Sequence, residues 1–418
     1  MSLPATFRAL QHRNFRLFFS GQLISLIGTW MQNVAQSWLI YRLTGSSVLL
    51  GAIGFAGQIP LFLLGPLGGI AADRFDRRRI VIATQAASMV LAFALAGLTL
   101  SGSVRVWQVF VLAALLGTVN AFDVPARQSL FVEMVGRQDL MNAIALNSSM
   151  FNASRIVGPA VAGVLVASIG EGWCFFVNAA SYIAVIAGLL MMRLPPRAAA
   201  VAAGSPWTHL AEGFRFIGGN RAVSAILALL GIESLTGTPY IVLMPIFADR
   251  ILHGGPQAFG WLLGAAGAGS LAGALRLAGR TDLKGFSRMA ARYAAAFGAS
   301  LACFSLSRNI WLSCAILMVT GYCIMTQLGS SNTLIQSMTP DVLRGRVMAV
   351  YSMMVLGMAP IGSLCAGAVA DRVGSPATVF AGGVLCACAA GVFGARLPGI
   401  RAEIVRLLAE RRAEEPAG

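Results

Sequence analysis

Charge is what this chain has least of. Only 11% of its 418 positions are Asp, Glu, Lys or Arg, against roughly 25% in a soluble domain, which excludes a soluble fold. Three histidines (His12, His209 and His253) sit at the edges of apolar runs without a serine or cysteine partner pattern, so nucleophilic catalysis lacks its parts. The seven cysteines are Cys174, Cys303, Cys314, Cys323, Cys365, Cys386 and Cys388. They show no paired metal-type spacing, and their reading is small apolar packing residues. No phosphate-cradling Walker loop occurs, so an ATP-driven pump is not expected. The roughly ten-residue alternation of a membrane barrel is missing as well. Neither an enzyme nor a cofactor nor a metal is implied.

What the chain has in quantity is apolar length. Hydrophobic residues make up 57% of it, in runs of about 20, enough to cross a hydrocarbon core of about 30 Å. Inside a bilayer every backbone amide needs an internal partner, so these runs must be helices. The spans are read as 15–41, 48–72, 79–101, 106–126, 142–169, 173–193, 221–247, 257–278, 288–306, 310–335, 345–370 and 376–395. The first is too long and wrongly flanked for a signal peptide.

Most of the 31 basic residues fall in the connections that share a side with both termini; the opposite side takes only Arg42, Arg105, Arg250, Arg308 and Arg372. Positive charge marks the cytoplasmic side, so both termini are expected inside, in a bacterial-type inner membrane. The net charge of +15 belongs to this topology rather than to nucleic acid, because it is spread over many short loops.

The chain repeats itself at an offset near 204. Trp107 matches Trp311, Gly117 matches Gly321, Ser129 matches Thr333, Gly163 matches Gly367 and Gly170 matches Gly374. At an offset of 209, Asp73 pairs with Asp282. The expected organisation is an N-terminal six-helix bundle over 1–193, a linker over 194–220, a C-terminal six-helix bundle over 221–396 and a tail over 397–418. In the linker Trp207, Leu210, Ala211, Phe214 and Ile217 recur at helical spacing, as on an amphipathic helix lying on the inner membrane surface. Ile400, Ile404, Leu407 and Leu408 in the arginine-rich tail read the same way.

Between the second and third spans stands Gly69-Ile70-Ala71-Ala72-Asp73-Arg74-Phe75-Asp76-Arg77-Arg78-Arg79. It resembles the gating loop of the major facilitator superfamily, G-x-x-x-D-R-x-G-R-R, with Asp76 where that family usually has glycine. Gly158-Pro159-Ala160-Val161-Ala162-Gly163 in the fifth span resembles the G-P-x-x-G-G motif of its antiporter branches. His12-Arg13-Asn14-Phe15-Arg16, the stretch Trp30 to Trp38, Pro125-Ala126-Arg127-Gln128 and Asn142-Ala143 are similar to the enterobactin-exporter branch, which also contains drug exporters.

The resemblance implies an all-α membrane protein with twelve transmembrane helices in two six-helix bundles, working as a monomer. It implies that Gly69, Asp73, Arg74, Arg77, Arg78, Asp123 and Arg127 form a latch that breaks as the protein turns inward. The alternative is ordinary topology-setting arginines at a helix end. Gly158, Ala162 and Gly163 would let a neighbour approach closely, while Pro159 weakens the local ladder. The glycines of span eight (Gly260, Gly264, Gly267, Gly269, Gly273) lie in a continuous apolar helix with no preceding strand, so close packing is their reading, not a dinucleotide loop.

Two ionisable residues lie deep in spans, Arg155 and Glu233. Such groups are costly in the bilayer and face a cavity or a partner. The resemblance puts spans one, four, seven and ten around the central cavity, and Glu233 with them. Desolvation disfavours the charged carboxylate, which suits Glu233 to taking up and releasing a proton; a structural hydrogen-bonded acid is the other reading. Arg155 holds an anionic cargo, or it neutralises Glu233 or Asp123. Gln22, Trp30, Asn33, Gln36, Asn120, Thr236, Tyr240, Gln327 and Asn332 are candidate cavity walls. The expected function is proton-driven export of a small amphipathic molecule, a siderophore or a hydrophobic drug, with lipids as the other partner. An importer, a lysophospholipid flippase and a non-transporting sensor or scaffold stay open.

Overall fold

The computed structural model describes residues 5–194, 206–280 and 285–414, and within them the regular structure is helical. After a short 3-10 helix, Ala5–Gln11, the first half runs α1 (Arg13–Thr44), α2 (Ser47–Arg74), α3 (Arg77–Leu100), α4 (Val106–Val135), α5 (Leu140–Ile169) and α6 (Glu171–Met191). A connecting helix α7 (Pro206–Gly219) follows. The second half runs α8 (Arg221–Ile251), α9 (Gly255–Ala278), α10 (Phe286–Leu306), α11 (Ile310–Met338), α12 (Asp341–Val373) and α13 (Ser375–Glu414).

Eleven of these helices are long and apolar enough to cross a membrane. The two others are the short connecting helix α7 and α1, which was expected to be the first of twelve spans. It carries Arg13, Arg16, Gln22, Gln32, Asn33 and Gln36, and polar side chains of that number lower its apolarity over any 18-residue window. At the far end, α13 does not stop near residue 396 but continues to Glu414 through Pro398.

The chain forms two compact units. One comprises Met1–Gly45, Ile53–Ala203 and His253–Gly264; the other comprises Ser46–Ala52, Gly204–Leu252 and Ala265–Gly418. The first turns of α2 therefore cluster with the second unit, and the first turns of α9 with the first.

In the first unit α6 packs on α1 and α3, α5 on α1, and α3 on α4. In the second, α10 packs on both α13 and α11. Each core is apolar: Phe15, Phe18, Leu130 and Leu189 in one, Ile226, Leu230, Phe286 and Ile335 in the other. Because lipid is as apolar as leucine, helix pairs in membranes also rely on polar contacts and close backbones. Asn178 Nδ2 donates to Gln32 Oε1 at 2.6 Å, joining α6 to α1, and Thr320 bonds Ser300 at 2.9 Å, joining α11 to α10.

The sequence repeat has a structural counterpart. α4 begins one residue before Trp107 and α11 one residue before Trp311, and both indoles are exposed. A Cβ on Gly117 would run into the Gly57 carbonyl of α2, and one on Gly321 into the Ala266 carbonyl of α9. Gly163 touches Gly260, just as Gly367 touches Gly51. Gly170 and Gly374 end α5 and α12 at φ 87° and 88°, a region that only glycine enters without steric penalty. Constant-offset glycines thus mark equivalent helix crossings and helix ends.

Candidate functional site

The turn after α2 is built by its own residues. Asp76 adopts an extended conformation (φ −62°) and its side chain accepts from the Arg79 amide at 3.0 Å, capping α3. The family's glycine is not needed there, because the backbone stays at negative φ and a carboxylate is a good N-cap.

Arg77 organises the turn. It donates to the carbonyls of Ala72 at 3.0 Å and Ser129 at 3.1 Å, and pairs with Glu133 at 2.9 Å. Asp73 stands farther from it, at 3.8 Å, and half its side chain is exposed. Glu133 is the partner that sequence reasoning missed; its signal was a lone acid in the last turns of α4, opposite an arginine-rich turn. Arg78 caps α6 by donating to the carbonyls of Leu189 at 2.7 Å and Leu190 at 2.8 Å. Arg74 is exposed. Gly69 has open space around it, and it is Gly68 whose missing Cβ lets α2 rest on Ala121.

Asp123 is buried. It accepts from Thr84 Oγ1 at 2.8 Å and Gln85 Nε2 at 2.9 Å, and pairs with Arg127 Nε at 3.1 Å. Arg127 lies one turn along the same helix, so this network ties α3 to α4. The ion pairs Arg77–Glu133, Arg77–Asp73 and Arg127–Asp123 all lie within the first unit. A second polar cluster, also unforeseen, fastens the amino-terminal segment. Asp139 bonds Arg8 at 2.6 Å and His12 at 2.7 Å, and Asn142 accepts from the Ala9 amide. The His12 hydrogen bond, with Arg8 beside it, holds the Asp139 carboxyl below the usual carboxylate range.

Farther along, α1 presents Gln22, Asn33 and Gln36 on one stripe with Trp30 at its edge, at the spacing of one helix face. Gln22 is buried with its Oε1 unpartnered, Asn33 is exposed, and Trp30, Gln36 and Asn120 of α4 are half-buried. Gly158 of α5 allows this approach: a Cβ there would lie 2.5 Å from Trp30 Cβ and 2.9 Å from the Ile27 carbonyl. Pro159 and Ala162 are buried in the same segment. Half-buried Arg155 stands with its guanidinium carbon 6.0 Å from the centre of the Trp30 ring, which meets Phe151 edge-on at 5.5 Å. Cation–π attraction holds the guanidinium there. It has no ion pair among the described residues; of the alternatives for it, Asp123 is already paired with Arg127.

In the second unit Glu233 is 1% exposed and neither carboxyl oxygen has a hydrogen-bond partner. It opens a π-helical turn, Glu233–Gly237, in which the Thr238 amide reaches the Glu233 carbonyl at 2.9 Å. Such turns insert one residue and are frequent at functional sites. Thr236 faces α13, with its hydroxyl 3.3 Å from Cys386 Sγ. Tyr240 and Gln327 are buried rather than open, and Gln327 keeps one oxygen unpartnered. Asn332 is half-buried and accepts from Gln336.

The connecting helix α7 rests on α12, with Glu212 paired to Arg346, Gly213 against the Arg346 backbone and Ile217 buried. Ala211 and Phe214 point outward. The side chains of Trp207, Leu210, Ile404 and Leu408, and the loop copy at Asp282, lie outside the described residues. Ile400 and Leu407 are buried, and Glu403 accepts from the Arg221 amide.

Residues 4–416 match the family described as "Transmembrane secretion effector". A staphyloferrin A transporter of Staphylococcus aureus is 24% identical over 383 residues, covering 90% of this chain and 95% of that protein. The multidrug efflux pump Tap of Mycolicibacterium fortuitum is 29% identical over 370 residues, covering 85% and 88%. Among solved structures, the nucleoside transporter NupG superposes with a TM-score of 0.74 at 14% identity, covering 92% of this chain and 98% of that one. That likeness carries the fold.

Proposed function

The chain belongs to the transmembrane secretion effector family of the major facilitator superfamily, and from that premise we propose that it exports small amphipathic molecules in exchange for protons. It is a multi-pass membrane transporter, not an enzyme, with siderophore-transporter and efflux-pump relatives. The observations that carry the finer reading are made separately in the two units: Arg155 has no ion pair among the described residues, and Glu233 has no hydrogen-bond donor. A charged carboxylate so buried bears its desolvation cost with nothing to offset it, which the protonated acid avoids. Glu233 therefore serves as the group that binds a proton in one access state and releases it in another.

Arg155, with Trp30 and Phe151, offers a cation beside aromatic faces, which suits a cargo with an anionic group on an apolar body. Gln22, Asn33 and Gln36 of α1 and Asn120 of α4 supply hydrogen bonds. The arginine-rich connections support a cytoplasmic side that holds both termini, and the Asp73–Arg77–Glu133 cluster is the gate on that side. With no ATP site, the drive is the ion gradient, worth about 2.3 kcal/mol per charge per 100 mV.

The test uses inside-out vesicles with an acid interior and a pH dye. Catecholate siderophores, macrolides and cationic drugs are added to wild type and to Glu233→Gln. A cargo that collapses the gradient in wild type and not in the variant supports the exchange. Equal responses remove Glu233 from coupling, and no response to any cargo removes export. An importer is the second reading; proton flux in the opposite sense on cargo addition would identify it.

A further inference from the structure

A recess of about 480 Å³ opens where α9 ends and α10 begins, wholly within the second unit. Arg276 comes to it from the last turn of α9, Arg280 from just beyond that helix's end, and Arg288 and Arg292 from α10. Among the described residues no carboxylate lines it, and none of the four guanidinium groups has an ion pair. Arg77, Arg127 and Arg346, by contrast, each have an acidic partner, in Glu133, Asp123 and Glu212 respectively.

Three physical features make this arrangement unfavourable as it stands. α10 places Arg288 and Arg292 one turn apart, a spacing at which like charges repel. Arg288 sits in the first turn of α10, where the helix dipole is already positive. The two pairs also converge on one cavity. A bound anion relieves all three at once.

The cavity is shaped for more than a small ion. Arg276 Nη1 donates to the Tyr293 hydroxyl at 2.8 Å and also bonds the Tyr322 hydroxyl. Its guanidinium lies 5.8 Å and 5.9 Å from the two ring centres. Arg280 reaches Met289 Sδ at 3.0 Å and lies over the Phe286 ring. Oriented guanidinium groups thus stand beside thioether and aromatic surface, at the ends of two membrane-crossing helices. Guanidinium forks match phosphate oxygens in pairs, and basic recesses between transmembrane helices suit acidic headgroups.

We infer that this recess is a binding site for the phosphate of an anionic phospholipid headgroup, seated between α9 and α10 with its acyl chains along the helices. The ligand is a lipid rather than a soluble phosphate ester because the anion site is continuous with apolar side chains at a membrane-crossing end.

The test is native mass spectrometry of the full chain, purified in detergent and titrated with cardiolipin, phosphatidylglycerol or phosphatidylcholine. The variant is Arg280→Gln with Arg288→Gln; both residues are exposed and have no ion pair among the described residues, so folding is retained and is checked by monodisperse elution. The control is Arg13→Gln, an exposed arginine on α1. Expected are anionic lipid adducts that exceed phosphatidylcholine adducts about tenfold, fall about tenfold in the double variant, weaken with added salt and persist in the control. Equal retention of anionic and zwitterionic lipid, or an equal loss in the control, overturns the assignment. So does saturable binding of inorganic phosphate or glycerol phosphate without preference for anionic lipid, which gives the site to a soluble anion.

Discussion

Replacing Arg127 by leucine is the sharpest probe of the α3–α4 junction. Asp123 is 3% exposed and spends its acceptors on Thr84, Gln85 and Arg127. Removing one partner of a buried pair costs about 3–5 kcal/mol, because a buried charge is left behind. Two donors remain and Arg127 is itself 21% exposed, so the lower end, about 3 kcal/mol, is expected. For a unit of this size each kcal/mol moves the midpoint by about 2–4 °C, giving a fall of about 6–12 °C. Adding Asp123→Asn removes the stranded charge while its amide oxygen still accepts from Thr84 or Gln85. The double variant should recover about 2 kcal/mol, a coupling typical of contacting residues. The assay is thermal unfolding of the purified transporter by intrinsic tryptophan fluorescence. A single variant as stable as wild type, or a double variant no better than the single, would refute the reasoning that this pair offsets a buried charge.

Other outcomes follow from the same geometry. Glu233→Gln should leave the midpoint within about 1 kcal/mol of wild type, since neither oxygen accepts a hydrogen bond, while cargo-driven proton flux is lost; vesicle pH traces and thermal scans check the two halves. Gly158→Val presses a side chain onto Trp30 and the Ile27 carbonyl, an overpacking worth about 1–3 kcal/mol, read as a lower midpoint with reduced transport. Asp139→Asn should raise hydrogen exchange in Ala5–Gln11, because Arg8 and His12 lose the carboxylate charge and one of the two oxygens they bond. The depressed folded value of Asp139 sets the pH sense. Its contribution is present above the ordinary value of 3.8 and is lost as pH falls through the folded value, so wild type should show the same exchange only in strong acid.

Membrane residence, helical class and the duplicated plan were legible in the linear chain, because each depends on properties that neighbours in sequence share. Apolar length and the bilayer's demand for internal hydrogen bonds leave only helices. The offset of 204 was readable because equivalent crossings need a glycine in both copies, as Gly117 and Gly321 do. What partners each charge was not readable. Arg77 could reach Asp73, Asp123 or Glu133 by spacing alone, and only the packing of α2, α3 and α4 turned it chiefly onto Glu133. Likewise Thr236 and Gln327 sit on spans expected to line a cavity, yet helix rotation turned one toward Cys386 and buried the other. The recess of four arginines was not legible either, since the sequence does not show that Arg276 and Arg280 converge with Arg288 and Arg292 on one cavity. Periodicity assigns a residue to a face; which neighbour that face meets is set by the summed packing of the whole bundle, and no local stretch contains that information.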